Sequence, residues 1–100
     1  MAAYRILFHP AALREFRSLD GGVRALVAKQ IAKLELYPYL GDPLGNKHGY
    51  DLTGYRKMYA DRKRIRIVYS IVEDLVLVKI IAVGRRADDE VYRDADARVE

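Results

Sequence analysis

Ile65-Arg66-Ile67-Val68-Tyr69-Ser70-Ile71-Val72 alternates between two faces. Successive side chains of an extended chain point to opposite sides, so Ile65, Ile67, Tyr69 and Ile71 form an apolar stripe. Arg66, Val68, Ser70 and Val72 form the reverse face. Residues 75–83 follow, apolar except for Lys79 and rich in Val and Ile, and they stop at Gly84. That composition predicts a strand buried on both faces and central in its sheet. Glu73-Asp74 is a tight hairpin between the two. Upstream, 55–60 reads as another strand and 61–64 as a charged turn. Three consecutive strands so joined make an antiparallel meander.

Working outward, residues 4–8 form a short β-branched and aromatic run that ends at His9-Pro10. Proline suits the first turn of a helix, so a helix starts there, with Ala12, Leu13, Phe16 and Leu19 as its apolar stripe. Asp20-Gly21-Gly22 ends it. Val23, Leu26, Val27, Ile31 and Leu34 recur at helical spacing and predict a second helix running to about Tyr37, before Pro38. Residues 38–54, with two prolines and four glycines, read as loop. The segment from Asp88 to about Arg98 is expected to be a terminal helix, with Asp88, Asp89 and Glu90 in the first turn where the helix dipole favours acids. The expected order is β-α-α-β-β-β-α. This is an α+β domain over residues 1–100, a small antiparallel sheet with a helical hairpin on one face and a C-terminal helix.

The chain of 100 residues has no cysteine, which removes disulfides, thiolate catalysis and cysteine-ligated zinc. No signal peptide and no run near the ~20 apolar residues of a membrane span is apparent, so a soluble cytoplasmic protein is expected. The net charge of +4 hides an asymmetry. Residues 87–100 carry six acids against two bases, whereas Arg56, Lys57, Arg62, Lys63, Arg64 and Arg66 crowd into twelve positions with only Asp61 opposing them. Such a cluster attracts polyanions, RNA foremost. The plain alternative is a solvated hairpin tip kept basic against edge pairing.

Arg66 on one strand, Arg85 and Arg86 at the end of its neighbour, and Tyr92 just beyond are expected to converge on one spot. Phe8-His9-Pro10-Ala11-Ala12-Leu13, Arg66-Ile67-Val68-Tyr69, Ala82-Val83-Gly84-Arg85-Arg86 and Glu90-Val91-Tyr92, in this element order, resemble the RelE/ParE superfamily of bacterial toxins from type II toxin–antitoxin modules. Within it the likeness is to the RelE-like mRNA interferases and covers nearly the whole chain. The resemblance implies an enzyme that cleaves mRNA in the ribosomal A site and is neutralised by a cognate antitoxin. It also implies a catalytic set of Arg66, Arg86, Tyr92 and Arg56. Where the family carries a second lysine on the earlier strand, this chain has Met58, and its hairpin is about one residue longer, so Lys57 is an alternative to Arg56. Slipping a strand by one residue turns every side chain to the other face. Lys57, Arg62, Lys63, Arg64 and Arg85 are the expected RNA-binding residues.

Metal-free RNA cleavage uses the 2′-hydroxyl against its own phosphate. It needs a base, positive charge for the transition state, and an acid for the leaving oxygen. Guanidinium groups supply the charge because they pair bidentately with phosphate and stay protonated. Tyr92 can stack on the cleaved base or exchange a proton, the latter only with cationic neighbours, since a free phenol has a pKa near ~10. Its bland role is to pack the terminal helix by its ring. No set of residues has metal-ligand spacing, so no metal or other cofactor is expected. His9 reads as a cap or a surface residue and His48 as a loop residue. Weak acid–base equipment fits dependence on a ribosome that holds the mRNA ready for attack. Against these roles, Arg66 and Arg86 have a simpler use as ion-pair partners of Asp88, Asp89 or Glu90. Two other activities compete: a ParE-like, non-enzymatic inhibitor of DNA gyrase, and a degenerate member that only binds antitoxin.

Overall fold

The computed structural model describes residues 3–47, 49–85 and 90–98. The elements run β1 (Arg5–Phe8), α1 (Pro10–Arg17), α2 (Gly21–Lys33), β2 (Asp42–Pro43), β3 (Asn46–Lys47), β4 (Tyr50–Asp51), β5 (Tyr55–Ala60), β6 (Ile65–Val72), β7 (Leu77–Arg85) and α3 (Glu90–Ala97). The principal sheet has the order β1-β7-β6-β5-β2. β5, β6 and β7 form the expected meander, with all three pairings antiparallel once β2 is added on β5. β1 departs from the antiparallel expectation. It lies parallel to β7, with Arg5 opposite Leu77 and Phe8 opposite Ile80, because the helical hairpin carries the chain away from that edge before the meander returns to it.

The local signals explain most boundaries. His9 caps α1: its Nδ1 accepts the Ala11 N–H at 3.1 Å, and Pro10 occupies the first turn, where no N–H is needed. α2 stops at Lys33, short of the expected Tyr37, and Leu36 and Tyr37 are left exposed. The predicted loop contains three two-residue strands: β3 and β4 pair with each other, and β2 adds an edge to β5. Pro43 is tolerated there because an edge strand has one side without ladder bonds to make. The link from β6 to β7 is a 3-10 turn at Glu73–Leu75, closed by Val76 in the left-handed region at φ 51°. β7 therefore starts at Leu77 and runs through Gly84 to Arg85, later at both ends than its composition suggested.

Two cores sandwich the sheet. On one side Ile65, Ile67 and Tyr69 of β6, Met58 and Ala60 of β5, and Val78, Ile80 and Val83 of β7 pack on Ala12 of α1 and Val27 and Ile31 of α2. On the other, Val68, Ile81 and Ala82 meet Val91, Tyr92 and Ala95 of α3, with Leu44 and Leu52. Tyr69 pins the 38–41 segment across the first core. Its phenol donates to the Pro38 carbonyl and accepts from the Gly41 N–H, both at 2.8 Å, and burial raises its pKa. The pairing slips between Val68 and Tyr69, which oppose Ala82 and Ile80, so Ile81 is an extra residue in β7. This bulge makes Ile81 and Ala82 both face α3 and returns Val83 to the first core. Among the described residues no helix is long and apolar enough to cross a membrane.

Candidate active site

Arg66 projects from β6 on the side covered by α3, and only 7% of it is exposed. Its guanidinium carbon lies 4.2 Å from the ring centroid of Tyr92 and 5.8 Å from that of Tyr59. Two nitrogens, Nε and Nη1, are buried without a hydrogen-bond partner. Among the described residues Arg66 makes no ion pair, whereas Arg98 and Arg93 do. Burying a cation against aromatic faces returns part of its lost hydration, but unpaired N–H groups in such a place are costly. Native proteins satisfy most buried polar atoms, so the exceptions point to a strain reservoir or a missing ligand. An anion with oxygen acceptors would meet this deficit.

The β5 strand supplies the second part. Tyr59 lies directly across from Arg66 in the ladder. Lys57 stands two residues earlier, on the same face; its Nζ donates to the Tyr59 hydroxyl at 3.1 Å and lies 5.3 Å from the centre of that ring. This hydrogen bond, aided by the Arg66 charge, holds the Tyr59 phenol below its ordinary pKa despite partial burial. Arg56 is on the opposite face. Its neighbours in the strand alternation are Met58 and Ala60, both in the first core, and its guanidinium donates to the carbonyls of Gly41 at 2.9 Å and Tyr39 at 3.4 Å. The expected convergence of Arg56 with Arg66 and Tyr92 is thus not observed; the register puts Lys57 there instead. Met58 is a core residue in a core position.

Arg62, Lys63 and Arg64 occupy the hairpin tip and are exposed. Asp61, Arg62 and Lys63 are all left-handed, at φ 52°, 55° and 66°, which costs each residue roughly 1 kcal/mol or more. The turn holds a four-residue loop between paired Ala60 and Ile65. With Arg66 and Arg85 these three cations line a cleft of about 1000 Å³, completed by Asp61 and Ile65 of the hairpin, Ser18, Leu19 and Asp20 of the α1–α2 turn, and Val23 of α2. Arg85 is exposed at the end of β7, opposite Ile65. Arg86, His48, Asp88 and Asp89 lie outside the described residues, as does the side chain of Glu90. Of the predicted set the structure therefore brings together Arg66 and Tyr92, with Lys57 linked to them through Tyr59. Arg62, Lys63, Arg64 and Arg85 gather at one rim. Tyr59 was missed, although its alternation with Lys57 was legible once the strand's facing was known.

Tyr92 is 2% exposed and sits on α3, with the guanidinium of Arg66 against its ring. A ring so covered packs the helix and seats the cation, and offers no open face to a base. α3 comes close enough for this because Gly84 has no side chain: a Cβ there would stand 3.2 Å from Cβ of Val91. At its far end Arg98 donates to Glu15 of α1 at 2.8 and 3.1 Å and to the Ile81 carbonyl at 2.9 Å. Among the described residues no three His, Cys, Asp or Glu side chains gather as a metal site would require.

No family model matches the chain. It is similar to the mRNA interferase toxin RelE of Escherichia coli K12, with 32% identity over 100 residues that span 97% of this chain and 98% of that one. The mRNA interferase RelE of Shigella flexneri matches to the same extent. Among solved structures, a double arginine-to-alanine mutant of the E. coli toxin RelE in the free state superposes with a TM-score of 0.80 at 27% identity, over 98% of this chain and 99% of that one. A chain of the RelBE2 toxin–antitoxin complex from Mycobacterium tuberculosis gives 0.70 at 29% identity, over 88% and 97%.

Proposed function

Because this chain belongs to the RelE family of toxins, we propose that it is the toxin of a type II toxin–antitoxin module and a metal-independent endoribonuclease that cuts mRNA held on the ribosome. Cleavage runs by attack of the 2′-hydroxyl on the adjacent phosphorus. Arg66 is the phosphate ligand. The observation that carries this reading is its buried guanidinium, with Nε and Nη1 unpartnered and the ring of Tyr92 behind it. Both nitrogens are covered while α3 is seated, so a phosphoryl oxygen would accept from them with α3 lifted from over the guanidinium, and the charge is worth most when negative charge builds in the transition state. Tyr92 fixes the guanidinium rather than stacking on the substrate. Arg86 is proposed as a second phosphate ligand on the strength of the family resemblance. Arg62, Lys63, Arg64 and Arg85 line a cationic rim that attracts the RNA backbone. The relatives are named mRNA interferases, which favours RNA over gyrase as the target.

A shallow site with few proton-transfer groups gains from a partner that orients its substrate, and the ribosome is the partner we propose. The second partner is a cognate antitoxin, as in the toxin–antitoxin complexes to which this fold is similar. The test is primer extension on mRNA in a purified translation system. Wild-type protein should produce discrete cuts on ribosome-bound message, Arg66→Ala should not, and added antitoxin should suppress them. Intact message with wild-type protein would refute the nuclease reading.

A further inference from the structure

Lys57 and Tyr59 are the described groups at the site whose chemistry nothing so far has used. They share a face of β5 and are joined by a hydrogen bond of 3.1 Å, and Tyr59 lies directly across the ladder from Arg66, whose guanidinium carbon is 5.8 Å from the centre of its ring. Resting on the nuclease reading above, we propose that Tyr59 is the catalytic base and Lys57 the catalytic acid of the cleavage, working as one proton-exchanging pair. The active form is the phenolate of Tyr59 bonded to the ammonium of Lys57. The phenolate oxygen takes the proton of the 2′-hydroxyl. The 2′-oxygen then forms its bond to phosphorus, the bond from phosphorus to the 5′-oxygen breaks, and the electron pair goes to that oxygen. Lys57 gives it a proton. The products are a 2′,3′-cyclic phosphate and a 5′-hydroxyl, and no metal or outside reagent is consumed.

The pair resets itself. After one turnover Tyr59 is a phenol and Lys57 an amine, and moving one proton across their shared hydrogen bond restores the starting ion pair. Two features favour the arrangement. The phenol sits between the ammonium of Lys57 on its own strand and the guanidinium of Arg66 on β6, two fixed cations that favour its ionised form. It is also only half buried, so its oxygen is not sealed from substrate as Tyr92 is. The lowered pKa of Tyr59 runs in the direction this role requires.

The test uses full-length protein and ribosome-bound mRNA with one scissile linkage, made either with the natural 5′-oxygen or with a bridging 5′-sulfur. Sulfur leaves without a proton, so it bypasses the acid and spares the base. Tyr59→Phe keeps the ring and should slow single-turnover cleavage of both substrates by about 100-fold or more, the usual worth of a positioned base. Lys57→Met should slow the oxygen substrate more than the sulfur one: it removes the acid, which sulfur bypasses, and also one of the two cations that favour the phenolate, which sulfur does not restore. Antitoxin binding by both variants should match wild type, which excludes misfolding as the cause. Cleavage by Tyr59→Phe at close to the wild-type rate would overturn the role of Tyr59, and Lys57→Met equally slow on both substrates would overturn that of Lys57. Either result leaves the nuclease reading standing, because wild-type cleavage is measured alongside; absence of wild-type cleavage would remove both.

Discussion

Arg98 grips both carboxylate oxygens of Glu15, at 2.8 and 3.1 Å, and so ties α3 to α1 beside Ile81 and Val83 of β7. Glu15 also accepts the Val83 N–H at 3.1 Å. One arginine thus holds down the helix that seats Arg66. Charge-assisted hydrogen bonds of this kind are worth about 1.5–3 kcal/mol, so Arg98→Ala should cost roughly 2 kcal/mol. A lowered urea midpoint would show the loss, and amide exchange should quicken in 90–98 before it does in β6 or β7. Equal protection of α3 in mutant and wild type would mean that the apolar contacts of Val91, Tyr92 and Ala95 suffice.

On the proposed role, Arg66 trades stability for function. Replacing a buried, incompletely paired cation by an apolar side chain of similar length is often neutral or stabilising by about 1–4 kcal/mol. Arg66→Met should therefore raise the unfolding midpoint, or leave it unchanged, while abolishing cleavage. A marked loss of stability would indicate that the two aromatic contacts repay the desolvation of the guanidinium in full.

Strand facing separates Arg56 from Lys57. Arg56→Ala should leave cleavage within about 3-fold of wild type while loosening 38–43, whose carbonyls it binds; Lys57→Ala should lose about 100-fold. Single-turnover rates on ribosome-bound message decide between them, and the reverse ranking would mean that β5 pairs in another register when substrate is present.

These two neighbours show what one sequence can and cannot disclose. The meander and the stripe of Ile65, Ile67, Tyr69 and Ile71 were readable because a period of two repeated over eight residues. The start of α1 was readable because Pro10 suits the first turn of a helix. The facing of β5 was not, since Tyr55 to Ala60 has large side chains on both sides and neither set is plainly the core set. Its register is decided by Met58 and Ala60 meeting the helices, a tertiary fact. The parallel pairing of β1 was hidden for the same reason: four residues carry no mark of direction. Arg66 was found through its place in the alternation, but its burial without partners appears only when α3 closes over it.

Tyr69 carries a pH dependence of stability. Burial raises its pKa in the folded state above the ordinary value of about 10. Its contribution is complete below pH ~10, where the unfolded chain also keeps the phenol neutral, and is lost as pH climbs towards the folded-state value. Tyr69→Phe leaves the Gly41 N–H and the Pro38 carbonyl without their partner and should cost about 1–3 kcal/mol at neutral pH. The gap between wild type and mutant, followed by chemical denaturation, should narrow above pH 10. A constant gap would mean that the phenol ionises as readily inside as out.

The supernumerary residue at Ile81 settles how near the last helix can ride. In an uninterrupted ladder Val83 and Gly84 would exchange sides, and a branched valine would stand where Val91 now descends onto bare backbone. The helix would be propped away from the strands, water would reach the cation beneath it, and its hunger for an anion would be met by solvent. A single extra isoleucine, packed in the same cluster as Tyr92, lets that helix settle close over the guanidinium.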